Sequence, residues 1–167
     1  GETCKKYGIE AEDIRLSNSD GFQALLAIVK KLNADDKVDG ILVQSPLPKG
    51  WDERIIQKEI SPQKDVDGFH PINIGKLLLG EQDGFIPCTP LGIHILLHAA
   101  QIPLLGKHVV IIGRSNIVGK PLASLLVQKK PFCNATVTLA HSQTQDLEML
   151  TKQADIPLIF DEIITGF

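Results

Sequence analysis

The sequence has few of the features that mark disulfide-rich, membrane or secreted proteins. Its 167 residues include 3 cysteines, an odd number with no C-x-x-C pair, so neither a disulfide framework nor a zinc site is predicted. Reduced thiols and a cytoplasmic location are therefore expected. No apolar run approaches the roughly 20 residues of a membrane helix. The opening GETCKKYGIE also lacks the apolar core of a signal peptide.

Positive charge is not in excess either. Lys and Arg number 17 against 20 Asp and Glu, giving a formal net charge of −3, and no basic stripe stands out. Nucleic acid and membrane are therefore not expected as partners. What is present is an ordinary globular composition, 43% hydrophobic and 22% charged, at a length that suits one large domain or two small lobes.

Helical and strand patterns alternate along the chain, and this order predicts a parallel α/β architecture. A boundary near residues 85–90 would divide it into two α/β lobes, 1–87 and 88–155, followed by a tail at 156–167. The predicted strands are 11–17, 39–48, 106–113 and 134–141. The predicted helices are 18–36, 51–60, 91–102, 118–130 and 144–154, and residues 61–76 are expected to form a polar loop.

The first candidate site is the loop in VVIIGRSNIVGKP, residues 109–121. Gly113 follows a buried strand and Gly119 opens a helix, but Ser115 replaces the middle glycine of G-x-G-x-x-G. The amides of a helix N-terminus favour phosphate, and Arg114 adds a guanidinium. On this pattern alone, a dinucleotide site and a strand-to-helix turn without a ligand both remain open.

The end of the next strand bears on which dinucleotide would bind. An NAD enzyme usually places Asp or Glu there to hold the ribose 2′-hydroxyl. TLAHSQT instead offers His141, Ser142 and Thr144. The missing acid and the presence of Arg114 favour NADP over NAD.

Two further stretches carry polar side chains in the first predicted lobe. GILVQSPLP puts Gln44 at the end of a predicted strand, where α/β sheets bind ligands, although such an amide also caps ordinary turns. KDVDGFHP contains Asp65 and Asp67, which could accept N–H bonds from a heterocycle or bind a metal. An Asx turn is the preferred interpretation for Asp65, and Asp67 stays open.

His94 and His98 stand four residues apart on a predicted helix, a spacing that could bind zinc. No glutamate lies between them as in H-E-x-x-H, and no third ligand is apparent. A packing or solvent-facing role is preferred, and no metal site is predicted.

Four motifs in order, DGILVQSPLP, PQKDVDGFHPINIGKL, FIPCTPLGI and VVIIGRSNIVGKPLASLL, resemble the bacterial-type bifunctional methylenetetrahydrofolate dehydrogenase/methenyltetrahydrofolate cyclohydrolase family. The resemblance covers residues 4 to about 155. It implies an N-terminal α/β folate lobe at 1–87, followed by a partial Rossmann-like NADP-binding lobe at 88–155. It also implies oxidation of 5,10-methylenetetrahydrofolate by NADP and hydrolysis of the methenyl product to 10-formyltetrahydrofolate.

The resemblance assigns roles to individual residues. Gln44 matches the glutamine that tunes a catalytic lysine, and Asp67 matches the aspartate that anchors the pterin ring. Binding of the NADP phosphates and ribose falls to Gly113, Arg114, Ser115 and Ser142. A small-molecule folate substrate and a homodimer are expected on the same basis.

The sequence departs from the family pattern at its beginning. The family has Tyr-x-x-x-Lys-x-Lys-x-Cys before a Gly-Ile pair. Cys4 and Gly8–Ile9 match the end of that pattern, Glu2 replaces the second lysine, and the essential first lysine would precede Gly1. The 167 residues alone are therefore expected to have little turnover. An inactive remnant with weak nucleotide or folate binding is the alternative.

The end of the sequence departs as well. The family's Pro-Gly-Gly-Val-Gly-Pro loop and final helix are absent from the 167 residues. PLIFDEIITGF, residues 157–167, resembles a pyridoxal-phosphate aminotransferase of the glutamate-1-semialdehyde type, with Asp161 as the partner of the pyridine nitrogen. Eleven residues cannot form a pyridoxal site, so this function ranks last. A fusion, frameshift or assembly junction is the expectation for this tail, and an ordinary final strand and cap is the alternative.

Overall fold

The computed structural model describes residues 2–17 and 19–159, and within them it has seven helices and three strands. Their bounds are α1 Glu2–Lys6, α2 Gly21–Ala34, α3 Glu53–Glu59, α4 Pro71–Leu79, α5 Cys88–Ala99, β1 His108–Ile112, α6 Gly119–Leu126, β2 Thr136–Ala140, α7 Leu147–Gln153 and β3 Ile156–Ile159. The expected α/β class is confirmed.

The three strands form one parallel sheet in the order β2-β1-β3, with β1 in the centre. Val109, Val110 and Ile111 of β1 are fully buried, which explains why this strand is apolar at consecutive positions. α5 and α6 supply the covering side chains Leu97, Leu122 and Leu126. Parallel pairing places the carboxyl ends of β1 and β2 at one edge, where Ile112 pairs with Ala140.

A second core lies in the N-terminal part. Its buried members are Leu25 and Val29 of α2, Ile41, and Ile56 and Ile60 on and after α3. α3 begins where the Asp52 carboxylate accepts a hydrogen bond from Arg54 N at 2.9 Å. The apolar spacing that predicted both helices therefore does mark their buried faces.

Two strands predicted in this part are not formed. Residues 11–17 have no strand geometry, and Ser17 instead donates from its backbone N and its Oγ to the Asp20 carboxylate, a turn that precedes α2. Residues 39–48 contribute a single bridge, Ile41 with Asp65. The described residues offer this segment no longer partner strand, so its backbone has no ladder to join.

The predicted loop 61–76 was wrong over its second half, because α4 begins at Pro71. Proline at the first helical position costs nothing, since that N–H has no partner inside the helix. The preceding His70 caps the helix by accepting Ile72 N at its Nδ1, at 3.1 Å. Pro71 therefore starts an element here and does not end one.

The two parts of the chain are in contact. α4 packs against α6, and Gln128, just after α6, donates from its Nε2 to the carbonyl of Leu77. The boundary near residue 87 and the division at 155 stay predictions. Residues 156–159 form β3 beside β1, in line with the interpretation of the tail as an ordinary final strand. Asp161 lies outside the described residues.

Candidate functional site

The loop after β1 begins at Gly113, which has φ 127°, a backbone conformation that favours glycine. Its N–H donates to Ala140 O at 2.8 Å, which continues the β1–β2 pairing one residue past the strand. The loop is therefore fixed to the end of β2.

α6 starts in close contact with this loop. A Cβ added to Gly119 would lie 2.7 Å from the backbone C of Gly113 and 3.0 Å from Cα of Arg114. Only a residue without a side chain lets the two backbones approach this closely. The loop thus packs directly onto the helix N-terminus, and any larger side chain at Gly119 would disrupt this contact.

Ser115 has a local structural role in the loop. Its Oγ accepts hydrogen bonds from Val118 N at 3.0 Å and from Gly119 N at 3.4 Å, and its carbonyl accepts Lys120 N at 3.1 Å. A glycine at this position could not make the two Oγ bonds. Ser115 therefore fixes the start of α6, and its hydroxyl proton is the part left to donate to a ligand.

Arg114 and Ser142 are both exposed at the same sheet edge. Within residues 2–17 and 19–159, the Arg114 guanidinium makes no ion pair. Ser142 lies in a turn closed by its neighbours, where Thr144 Oγ1 accepts His141 N at 2.9 Å. The register of β1 and β2 brings these two predicted NADP contacts to adjacent loops.

The second candidate loop contains Asp65 and Asp67. Asp65 is buried, and its carboxylate accepts His70 N at 2.8 Å, Phe69 N at 3.2 Å and Asn73 Nδ2 at 2.8 Å. The Asx turn expected for Asp65 is not formed, because the carboxylate accepts N–H groups four and five residues ahead; the turn here is closed by the backbone, where Gly68 N donates to Asp65 O at 3.1 Å. Asp65 still has the structural role expected of it, and it leads into α4.

Asp67 differs from its neighbour. It is half-buried, and in the described part of the chain no side chain donates a hydrogen bond to its carboxylate. Burial, and then the negative charge of Asp65, raise the pKa of Asp67 above its usual 3.8. A desolvated carboxylate without a partner is suited to accept N–H bonds from a bound heterocycle.

Gln44 hydrogen-bonds within its own segment. Its side chain is exposed, and Nε2 donates to the carbonyl of Ser45 at 2.9 Å. Its neighbours Val43 and Ser45 line the same small pocket as Asp67. The structure thus places Gln44 at the edge of that pocket, and its catalytic role stays a prediction.

Sequence reasoning missed two side chains that shape this pocket. Glu53 Oε1 accepts Leu47 N at 3.0 Å and so holds the segment that follows Gln44. Lys64 donates to three carbonyls at the end of α2. The long-range partners of Lys64 could not be predicted, because they are backbone carbonyls with no sequence signature.

The two histidines of α5 pack against the loop before β2, which agrees with the packing role preferred for them from the sequence. His94 Nε2 lies 2.8 Å from Phe132 O, and the His98 ring lies on the Phe132 ring with centroids 3.6 Å apart. In residues 2–17 and 19–159, no group of three or more metal-binding side chains is present.

Comparison with known families relates the Asp67 loop and the Gly113 loop to one family of enzymes. The family model for the catalytic domain of tetrahydrofolate dehydrogenase/cyclohydrolase matches residues 1–67, and the model for the NAD(P)-binding domain of the same enzymes matches residues 87–160. The chain belongs to the tetrahydrofolate dehydrogenase/cyclohydrolase family. The first model ends at Asp67, and the second covers β1, β2 and the loop of Gly113.

Individual relatives agree with this family. The bifunctional protein FolD of Chlamydia abortus is 56% identical over 149 residues, which are 89% of this chain and 52% of the relative. The crystal structure of bifunctional FolD from Campylobacter jejuni has a TM-score of 0.89 at 46% identity, covering 95% of this chain and 55% of that one. FolD of Trypanosoma brucei, solved with NADP cofactor and an inhibitor, has a TM-score of 0.85 at 31% identity, covering 95% of this chain and 53% of that one.

The chain spans about half the length of the curated relatives it matches. Within the described residues, none of the helices has the length and apolar character needed to cross a membrane.

Proposed function

We propose that this chain is part of an NADP-dependent methylenetetrahydrofolate dehydrogenase and methenyltetrahydrofolate cyclohydrolase. Its substrate would be 5,10-methylenetetrahydrofolate, oxidised to the methenyl form and then hydrolysed to 10-formyltetrahydrofolate. The observation that carries the proposal is the shared sheet edge. The Gly113 loop, the start of α6 and the exposed side chains of Arg114 and Ser142 meet there, in a family of folate enzymes.

The cofactor side of the proposal rests on the fit of the loop. The loop of Gly113 leads into the N-terminus of α6, whose positive dipole end would lie beside the pyrophosphate, and Ser115 Oγ fixes the start of that helix. NADP, when bound, accepts the hydride. Arg114 and Ser142 would hold the 2′-phosphate, because no carboxylate stands at the end of β2 to repel it.

The folate side rests on Asp67. Its carboxylate would accept N–H bonds from the pterin ring, and those bonds would replace the solvent contacts that burial has removed. Gln44, at the edge of the same pocket, would act on the lysine that the family places ahead of Cys4. Holding the folate carbon near the nicotinamide supplies the entropic part of the rate acceleration.

A cytoplasmic location and a homodimer belong to the same proposal. Reduced thiols support the first, since Cys4, Cys88 and Cys133 are all free. The resemblance to the family supports the second, and sedimentation of the full chain would test it.

The experiment that tests the function is a spectrophotometric assay with 5,10-methylenetetrahydrofolate and NADP, run on the 167 residues and on the same chain extended upstream by the family's Tyr-x-x-x-Lys segment. Little turnover by the 167 residues is the expected result, together with NADP-dependent formation of methenyltetrahydrofolate by the extended chain. Weak binding of NADP or folate without turnover by the extended chain would instead support an inactive remnant. Binding of neither ligand would contradict the proposal.

A further inference from the structure

The loop that carries Asp67 is attached to the rest of the molecule by side chains, not by a strand ladder. Its single backbone bridge joins Ile41 and Asp65. Asp65 fixes its downstream end through His70 and Asn73. The upstream end is Lys64, whose contacts are of a different kind.

The Lys64 ammonium uses all three of its protons on one helix end. Nζ donates to the carbonyls of Leu32 at 3.0 Å, Asn33 at 2.9 Å and Asp35 at 2.7 Å. Leu32 and Asn33 belong to the last turn of α2, which carries the negative end of the helix dipole, and Asp35 directly follows the helix. The carbonyls of Leu32 and Asp35 also accept backbone N–H groups, from Asp35 at 3.3 Å and from Val38 at 3.0 Å. A cation at this point is therefore both a hydrogen-bond donor and a charge partner for the helix.

The backbone of the same residue holds the other side of the pocket. Lys64 O accepts Ile41 N at 2.7 Å and Val66 N at 3.0 Å. Ile41 is three residues before Gln44, and Val66 directly precedes Asp67. Lys64 thus connects α2 with both segments that carry the proposed folate contacts.

We propose that Lys64 is a positioning residue, whose ammonium on the α2 C-terminus holds the Asp67 loop in the geometry that binds folate. The folate part of this inference rests on the proposed function. Upstream of Asp65 the chain is also held by Asn73 Nδ2, which donates to Pro62 O at 2.9 Å, and by Ser61 N, which donates to Asn33 Oδ1 at 2.8 Å, so loss of the ammonium would loosen the loop and let Asp67 shift. Small displacements of a binding group from its required geometry weaken what it holds.

The chain offers a matched control for a merely structural role. Asn33 joins the same end of α2 to the turn before Lys64, with Nδ2 donating to Glu59 O and Oδ1 accepting Ser61 N at 2.8 Å. Asn33→Ala removes an attachment of α2 but none of the contacts made by Lys64 Nζ. Lys64→Met removes the ammonium and keeps the aliphatic stem, and Lys64→Arg keeps the charge.

The test titrates tetrahydrofolate and NADP into the full chain and these three variants. Lys64→Met is expected to raise the tetrahydrofolate Kd about tenfold, and to leave the NADP Kd within about twofold. Lys64→Arg should recover most of the loss, and Asn33→Ala should leave folate binding intact. Equal folate losses in Lys64→Met and Asn33→Ala, or no recovery with arginine, would overturn the inference.

Hydrogen exchange separates this inference from the proposed function. The Gly68 amide donates to Asp65 O at 3.1 Å inside the loop and needs no ligand to be observed. Its exchange should be faster in Lys64→Met than in Asn33→Ala, even if the wild-type chain binds no folate. The absence of folate binding would overturn the proposed function, whereas equal exchange rates in both variants would overturn the role of Lys64.

Discussion

Backbone contacts position the candidate site in residues 88–159, whereas side-chain contacts position the candidate site in residues 20–79. The Gly113 loop is set by a parallel ladder and by two glycines in close contact. The Asp67 loop has one bridge and is held by Lys64 and Asp65. A substitution that blocks the close contact between two backbone segments should therefore disrupt the Gly113 loop. Removal of one polar side-chain group should disrupt the Asp67 loop.

Gly119→Ala tests the backbone-built part and should have the largest effect. The new Cβ would meet backbone atoms of Gly113, which cannot rotate away, so the loop must move. We expect NADP affinity to fall about 100-fold and unfolding to become easier by about 1–3 kcal/mol. Titration calorimetry and thermal unfolding measure the two effects.

The control is Gly92→Ala in α5, where a Cβ meets no neighbour within 4 Å. It should stabilise the chain by about 0.5–1 kcal/mol, because alanine favours a helix. NADP binding by Gly119→Ala at wild-type affinity would show that the close approach is not needed for the site.

Asp67→Asn tests the part built by side chains. Loss of a charged acceptor should weaken tetrahydrofolate binding about 10- to 100-fold and leave NADP binding unchanged. The exposed Asp83, paired with Lys76, gives the control Asp83→Asn. A folate Kd equal to that of the control would rule out the assigned role.

The raised pKa of Asp67 adds a pH dependence. Folate affinity should fall on acidification through that pKa, at a pH above the 3.8 of an ordinary aspartate. Because the folded state holds this proton more tightly than the unfolded chain, the contribution of Asp67 to stability should decrease as pH rises from 3.8 through the raised pKa. Both trends should vanish in Asp67→Asn, as urea unfolding and folate titration at several pH values would show.

Arg114→Ala should have a smaller effect than either change, because the side chain is exposed. We expect about tenfold weaker NADP binding with little change for NAD, since only NADP carries the 2′-phosphate. Arg54→Ala, which removes an arginine paired with Asp52, is the control. Equal losses of NADP and NAD affinity would contradict the contact assigned to Arg114 with the 2′-phosphate.

Ser115→Ala should show the smallest change. It removes the acceptor of Val118 N and Gly119 N and should cost about 1 kcal/mol of stability, with NADP binding a few-fold weaker. The control is Ser124→Ala, because the Ser124 hydroxyl donates only to Lys120 O within α6. This variant should change neither the stability nor the NADP affinity. Differential scanning calorimetry would distinguish the two variants. Identical unfolding temperatures would contradict the role of Ser115 in fixing the start of α6.

The same contrast explains what the sequence could predict. The apolar run Val109–Ile112, the two glycines and the helical spacing after them are local patterns, and they placed β1, α6 and β2 near their observed positions. The strand predicted at 39–48 failed because strand formation depends on a partner, which local pattern does not supply. Pro71 was misjudged because proline both ends helices and begins them.

The residues of the candidate site show the same difference between local patterns, which the sequence displays, and long-range contacts, which it does not. Gly113, Arg114, Ser115 and Ser142 were predicted because they follow strands at one sheet edge and match the family's motif, and their roles stay predictions. Asp65 and Asp67 were distinguished from the sequence, but the burial of Asp65 and its bonds to His70 and Asn73 required the structure. Contacts between Lys64 and the α2 carbonyls join residues 29 to 32 positions apart, and no sequence pattern encodes them.

The most direct test of two separate sites is a crossed titration of tetrahydrofolate and NADP into wild type, Asp67→Asn and Gly119→Ala. The account predicts that Asp67→Asn loses folate affinity and keeps NADP affinity, and that Gly119→Ala does the reverse. Both variants losing both ligands equally, or neither variant losing its own ligand, would contradict it.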